Sequence, residues 1–176
     1  MKRKVGELLI ILLFYLLQIT LGRAISIGRI MPNLLVLLPV VFGYLNGKNE
    51  GMFVGFFAGA LYDLSASSLF GFSALVFVYI GYLSGIFYRR YERSEMIIPL
   101  VIVFAGDFIF EFLSYVGNFL LHNRLNLIYF ITRFIVPEMI YTGIVFVFLY
   151  KLFLWLNPHL EVRNKRRVNN FDERNI

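Results

Sequence analysis

Long apolar segments, interrupted only by single charged residues, are the feature that most constrains how this chain folds. Of its 176 residues, 59% are hydrophobic and only 16% are charged, whereas a soluble domain is about half apolar and about a quarter charged. A membrane-spanning helix needs about 20 residues, so six of them would use roughly 120 residues. Short loops and two tails would remain. The composition therefore excludes a soluble fold and leaves no room for a separate catalytic domain.

The apolar segments predict an all-α integral membrane protein, with a six-helix membrane domain over residues 1–160. Residues 161–176 are polar and basic without apolar periodicity, which predicts a disordered cytoplasmic tail. The sixth span exceeds what a bilayer requires, so we expect tilt, an extension or a kink at Pro137. The predicted transmembrane spans are about 8–28, 32–45, 51–63, 71–88, 96–121 and 127–156.

The distribution of basic residues predicts the orientation in the membrane. Lys and Arg outnumber Asp and Glu by 17 to 11, and in a membrane protein such an excess reflects topology rather than nucleic-acid binding. With six spans, both termini lie on one side. The opposite side or the core holds only four basic residues: Arg23, Arg29, Arg124 and Arg133. We therefore expect both termini to be cytoplasmic, with basic residues there able to contact anionic lipid.

Catalytic and metal-binding patterns are weak in this sequence. Cysteine is absent, and His122 and His159 lie far apart without ligand spacing, so we expect no metal, no cofactor and no catalytic residues. The segments ending in Asp63 and Asp107 are similar to the paired motifs of intramembrane aspartyl proteases. Phe104, however, occupies a position where that motif requires glycine, and this disfavours a protease.

Glycines recur every four residues in the third predicted span, at Gly51, Gly55 and Gly59, and Asp63 continues the same register. Four-residue spacing keeps these positions on one face of a helix. A face without side-chain bulk allows another helix to approach closely, as in small-xxx-small association in membranes. The pattern leaves two alternatives open, namely a helix of the same chain or a helix of a partner.

Polar residues also line one face of the fifth predicted span, although charged groups within a bilayer are costly. Arg133 in the sixth span is the expected counter-charge, but acids still outnumber it. The surplus acids must be neutral, exposed to water or paired outside the chain. One alternative is a network that fixes helix register, and the other is a functional polar cavity. The residues concerned are Asp107, Glu111, Ser114, Asn118, Arg133 and Glu138.

The motifs between residues 32 and 85 resemble the bacterial MreD family of rod shape-determining membrane proteins. The resemblance comprises the Pro32-Asn33 pair, the glycine-rich segment that ends at Asp63, and a second segment that begins at Gly71. Length and six-span layout are similar too. Partner-helix packing is therefore expected of seven residues: Pro32, Asn33, Gly51, Gly55, Gly59, Asp63 and Gly71.

The resemblance implies a non-enzymatic scaffold or adaptor of the elongasome in the bacterial inner membrane. It implies binding to the membrane helix of an MreC-like protein and, indirectly, to the MreB filament, RodA and a class B penicillin-binding protein. These partners support lateral peptidoglycan synthesis and rod cell shape. A homo-oligomer is compatible with this function, and no nucleic acid is expected.

The family is also similar in fold to the substrate-binding components of energy-coupling-factor transporters. This likeness gives an alternative function, the binding of a small, vitamin-type molecule for transport. The face bearing Asp107 and Glu111 would then line a pocket open to the outside. The first span lacks the A-x-x-x-A pattern with which those components contact their transport partner, and this disfavours the alternative.

Overall fold

The computed structural model describes residues 2–24, 30–65, 71–88, 96–122, 129 and 131–152, with the backbone alone described at 2, 3, 21–24 and 118–122. These ranges are all-helical and contain no strand. Six helices agree in number with the six predicted, and the predicted tail at 161–176 lies outside the described residues. The helices are α1 (Lys2–Ala24), α2 (Leu34–Asn46), α3 (Lys48–Ser65), α4 (Phe72–Ile86), α5 (Ile97–His122) and α6 (Ile131–Leu152).

Helix α2 forms the centre of the fold. Every residue from Leu34 to Leu45 is buried, and α1, α3, α4 and α5 all contact this helix. A helix that is apolar on all sides needs an apolar environment on all sides, and here the neighbouring helices supply it. Its 13 residues are fewer than the about 20 that cross a bilayer at right angles, so the surrounding helices complete the apolar body.

The connection between α2 and α3 is shorter than predicted. The predicted spans 32–45 and 51–63 leave residues 46–50 between them, but α2 ends at Asn46 and α3 already begins at Lys48. Gly47 makes the reversal alone with φ +98°, a conformation that side-chain-bearing residues rarely adopt. Glu50 then lies in the first turn of α3, where the helix dipole favours an acid.

Two of the described helices, Ile97–Gly117 within α5 and Ile131–Leu152, are long and apolar enough to cross a membrane. Only 28% of each is buried within the protein, so both present wide apolar faces outward. The first turn of α6, Ile131–Ile135, is π-helical. Pro137 follows it, and proline both lacks an N–H and crowds the carbonyl four residues earlier. This accounts for the irregular geometry near the predicted kink.

Candidate functional sites

Gly51, Gly55 and Gly59, which we call the glycine seam, lie directly against the backbone of α4. A Cβ atom on Gly55 would lie less than 3.0 Å from the Phe77 carbonyl oxygen, and one on Gly59 less than 3.0 Å from Ala74 Cα. Real Cβ atoms essentially never come so close to backbone. The neighbour of the seam is therefore a helix of the same chain, the first of the two alternatives that the sequence left open. A partner helix can reach this face only if α4 leaves it.

Asp63 fixes the start of α4. Its carboxylate is buried and accepts hydrogen bonds from the N–H groups of Gly71 at 2.8 Å, Ser73 at 3.1 Å and Ala74 at 3.3 Å. The first N–H groups of a helix have no partner within the helix, and a carboxylate there is favoured by the dipole as well. Gly71 makes the turn with φ +95°. In this structure the two motif residues thus act as a helix cap.

Pro32 and Asn33 form the buried start of α2. The Asn33 Oδ1 atom accepts a hydrogen bond from Val36 N–H at 3.2 Å, which is an N-cap. Gln18 of α1 makes two hydrogen bonds to the same turn. Its Nε2 donates to the Pro32 carbonyl at 3.1 Å, and its Oε1 accepts from Leu34 N–H at 2.9 Å. The Asn33 N–H donates to Thr142 Oγ1 at 3.0 Å. The motif therefore joins α1, α2 and α6.

Asp107, Glu111 and Glu138, which we call the acid cluster, lie between α5 and α6. Asp107 and Glu111 are four residues apart and share a helix face. The Phe104 ring packs against Gly143, so α5 and α6 are in contact next to these acids. Asp107 is 0% exposed, and among the described residues neither of its carboxyl oxygens receives a hydrogen bond. Thr142 lies beside it.

The other members of the predicted polar network lie apart from the acid cluster or beyond what the structure describes. Ser114 is half-buried on α5, and the Asn118 side chain lies outside the described residues. Arg133 is exposed, and within the described ranges no ion pair joins it to an acid. It lies in the first turn of α6, from where a long side chain can reach the membrane boundary. The structure thus does not place it as the expected counter-charge.

The comparison with known families matches residues 2–158 to the model of the rod shape-determining protein MreD. The chain belongs to the MreD family. No curated protein and no solved structure matches it. MreD proteins are membrane proteins of the MreBCD rod-shape system, and this chain accordingly has a role in rod shape determination. The match extends the resemblance seen at residues 32–85 to nearly the whole chain.

Several structurally important residues of this MreD protein were not predicted. Gly81 and Gly85 of α4 face the backbones of Gly51 and Lys48, and their own four-residue spacing was a usable signal. Gln18 and Thr142 are polar residues within apolar stretches of their helices, a pattern that indicates a buried contact. Within the described ranges, no group of three or more His, Cys, Asp or Glu is placed to hold a metal ion.

Proposed function

We propose that this MreD protein is a non-enzymatic scaffold of the cell-elongation complex in the bacterial inner membrane. In this proposal six helices cross the membrane, both termini are cytoplasmic, and the protein binds the membrane helix of an MreC-like partner. The MreB filament, RodA and a class B penicillin-binding protein are indirect partners in lateral peptidoglycan synthesis. The family match over residues 2–158 is the observation that carries the proposal.

The packing of the helices supports a scaffold. The buried polar residues of the family motif, Asn33 and Asp63, hold helix starts in place, so their function in this structure is architectural. Large apolar side chains on α5 and α6, by contrast, remain exposed, among them Val101 at 59% and Phe148 at 76%. Lipid or a partner helix must cover such faces in a membrane.

Co-purification combined with complementation tests the proposal. The tagged protein is extracted in detergent from cells that also express the MreC-like protein, and the stoichiometric partner band is quantified. In parallel, depletion of the protein should turn rods into rounded cells, and re-expression should restore rods. Recovery of the partner together with restored shape supports the scaffold. Absence of the partner together with a tightly held small molecule would favour the transporter-component alternative instead.

Topology is tested separately, by labelling single introduced cysteines in intact cells. The chain has no cysteine of its own, so each label reports one site. The six-span layout predicts labelling from outside at residues 122–126 and protection at Lys48 and Lys151. Cytoplasmic labelling of residues 122–126 would contradict the layout.

A further inference from the structure

The acid cluster contains an unpaired, fully buried carboxyl group. Asp107 is 0% exposed and, within the described ranges, receives no hydrogen bond. Thr142 lies beside it, and the Thr142 hydroxyl, whose oxygen accepts the Asn33 N–H at 3.0 Å, has a single O–H that could serve at most one of the two Asp107 oxygens. A buried polar group without a partner is destabilising, and a buried charge is more so. The described part of the chain therefore leaves this site incomplete.

The helix geometry directs the three acids toward one place. Asp107 and Glu111 share a face of α5, and the short connection from α5 to α6 makes the two helices antiparallel neighbours. Because Phe104 packs on Gly143, Glu111, two turns beyond Phe104, comes level with the turn of α6 that holds Glu138. Asp107 lies one turn from Glu111, on the Thr142 side.

None of the basic side chains that the structure describes neutralises this cluster. Lys4 pairs with Glu7 and Glu50, and Lys48 lies over the Tyr82 ring at 5.0 Å. Arg133 and Lys151 are exposed. Three carboxyl groups within a membrane helix pair, without a described cation, are complementary to a positive charge from outside the chain.

The surface next to the cluster is suited to a helix. Phe108 and Phe112 stack on each other at 6.0 Å between ring centroids, and Phe108, one turn before Glu111, is 37% exposed. The membrane-spanning part of α5 is only 28% buried. A helix that packs there presents apolar side chains to α5, and a long basic side chain from it can reach Glu111. The aromatic pair would add cation–π attraction.

We propose that the acid cluster of Asp107, Glu111 and Glu138 binds a Lys or Arg side chain of the partner's transmembrane helix, which packs along the exposed face of α5. This inference rests on the proposed scaffold function and names the chemistry of its contact. The sequence pattern left open a partner contact at the glycine seam, but α4 occupies that face. The proposed contact therefore lies on α5 and α6. The cation would balance charge that the described side chains leave unpaired.

The test compares partner recovery for the wild type with that for the triple variant Asp107→Asn, Glu111→Gln and Glu138→Gln. The control is Glu50→Gln, an acid that is paired with Lys4 and lies outside the cluster. We expect the triple variant to recover less than about one tenth of the partner, a tenfold loss being the effect of a single strong contact, while the control recovers it fully. Thermal unfolding in detergent tests whether the triple variant is folded. If it is not folded, the single variant Glu111→Gln is used in its place.

A charge exchange identifies the partner residue. Each basic residue of the partner's membrane helix is changed to Glu, and the one that abolishes recovery should be rescued by Glu111→Lys. If the triple variant recovers as much partner as the wild type does, this inference is overturned and the proposed scaffold function stands. If the wild type itself recovers no partner, the scaffold function is overturned. A small organic cation that native mass spectrometry finds on the wild type but not on the triple variant also overturns it.

Discussion

Helices α2, α3 and α4 differ from helices α5 and α6 in how their polar groups are partnered. In the first group, helix backbones touch along the glycine seam, and Asp63 satisfies three N–H groups. In the second group, Asp107 is buried without a hydrogen bond among the described residues, and only 28% of the apolar window of each helix is buried. The first group is complete in one chain, whereas the second has the features of a surface that another molecule completes.

The largest expected effect comes from filling the glycine seam. Gly55→Leu places a side chain where the Phe77 backbone lies, and backbone within a helix cannot move aside as a flexible side chain can. We expect the loss to exceed the about 1–3 kcal/mol that is usual for overpacking, so that little folded protein survives extraction. Size-exclusion chromatography and thermal unfolding in detergent measure it.

Gly117→Leu on α5 is the matched control, because none of the described atoms lies within 4 Å of a Cβ atom added there. We expect it to be close to neutral, since replacing a helical glycine removes a helix-propensity penalty of up to about 1 kcal/mol. Equal damage from both substitutions would mean that the seam is not more tightly packed than α5, and the distinction between the two regions would be lost.

A smaller loss is expected when the cap of α4 is removed. Asp63→Ala leaves three backbone N–H groups without their acceptor, which should lower the free energy of unfolding by about 2 kcal/mol. Asp63→Asn keeps an oxygen acceptor and should cost less. The apparent melting temperatures of the two variants give the order. A stability of Asp63→Ala equal to that of the wild type would show that the cap is dispensable.

The sequence predicted the fold class better than it predicted the contacts between helices. Uninterrupted apolar segments indicate helices in a membrane protein irrespective of context, so six helices could be expected. The single-residue connection at Gly47 could not, because Asn46, Gly47 and the polar residues after them are typical of a longer turn, whereas Lys48 and Glu50 also suit the first turn of a helix. Helix ends depend on such local contacts, which composition does not reveal.

The sequence predicted which residues belong to the candidate sites much better than it predicted which residues they contact. Glycine spacing marked the seam, but the sequence could not say which helix fills it. Asp63 was identifiable by its position in the motif, whereas its function as a cap depends on Gly71 reaching it across eight residues. The sixth predicted span contains two basic residues, Arg133 and Lys151, and Arg133 was the expected counter-charge. The sequence does not show which way a side chain points, and the Arg133 side chain is exposed.

Removing the charge of Asp107 should raise the free energy of unfolding, whereas removing the charge of Asp63 should lower it. Asp107→Asn eliminates a buried carboxylate that lacks a hydrogen bond within the described ranges, so the free protein should gain about 1 kcal/mol in the free energy of unfolding. The matched Asp63→Asn variant should lose stability. Thermal unfolding of both variants without partner protein measures the contrast. A loss for Asp107→Asn as large as that for Asp63→Asn would indicate that Asp107 is already satisfied within the chain.

A further contact lies at the N-terminal end of α1, where Lys4 contacts Glu50 of α3, lies 3.1 Å from Glu7 and has its Nζ 3.9 Å from the centre of the Phe53 ring. The Lys4 side chain is 39% exposed but that of Glu7 is 0% exposed, so solvent screens the contact with Glu50 and not the contact with the buried acid, and the loss of Lys4 should cost about 1–3 kcal/mol. Lys4→Met should lower the melting temperature, and only the part that comes from Glu50 should shrink at high salt. Lys151→Met, at an exposed position on α6, is the control.

The salt dependence of the melting temperature shows which contacts hold α1 against the other helices. The buried side chains of Ile11 and Phe14 hold one face of α1 by apolar contact, and such contact does not weaken with screening. If Lys4→Met proves as harmful as Asp63→Ala at every salt concentration, then the ionic contact, rather than apolar packing, secures α1. If the effect is small and salt-dependent, α1 is held by packing alone, and its exposed leucines, Leu9 and Leu13 among them, form an outward apolar face like those of α5 and α6.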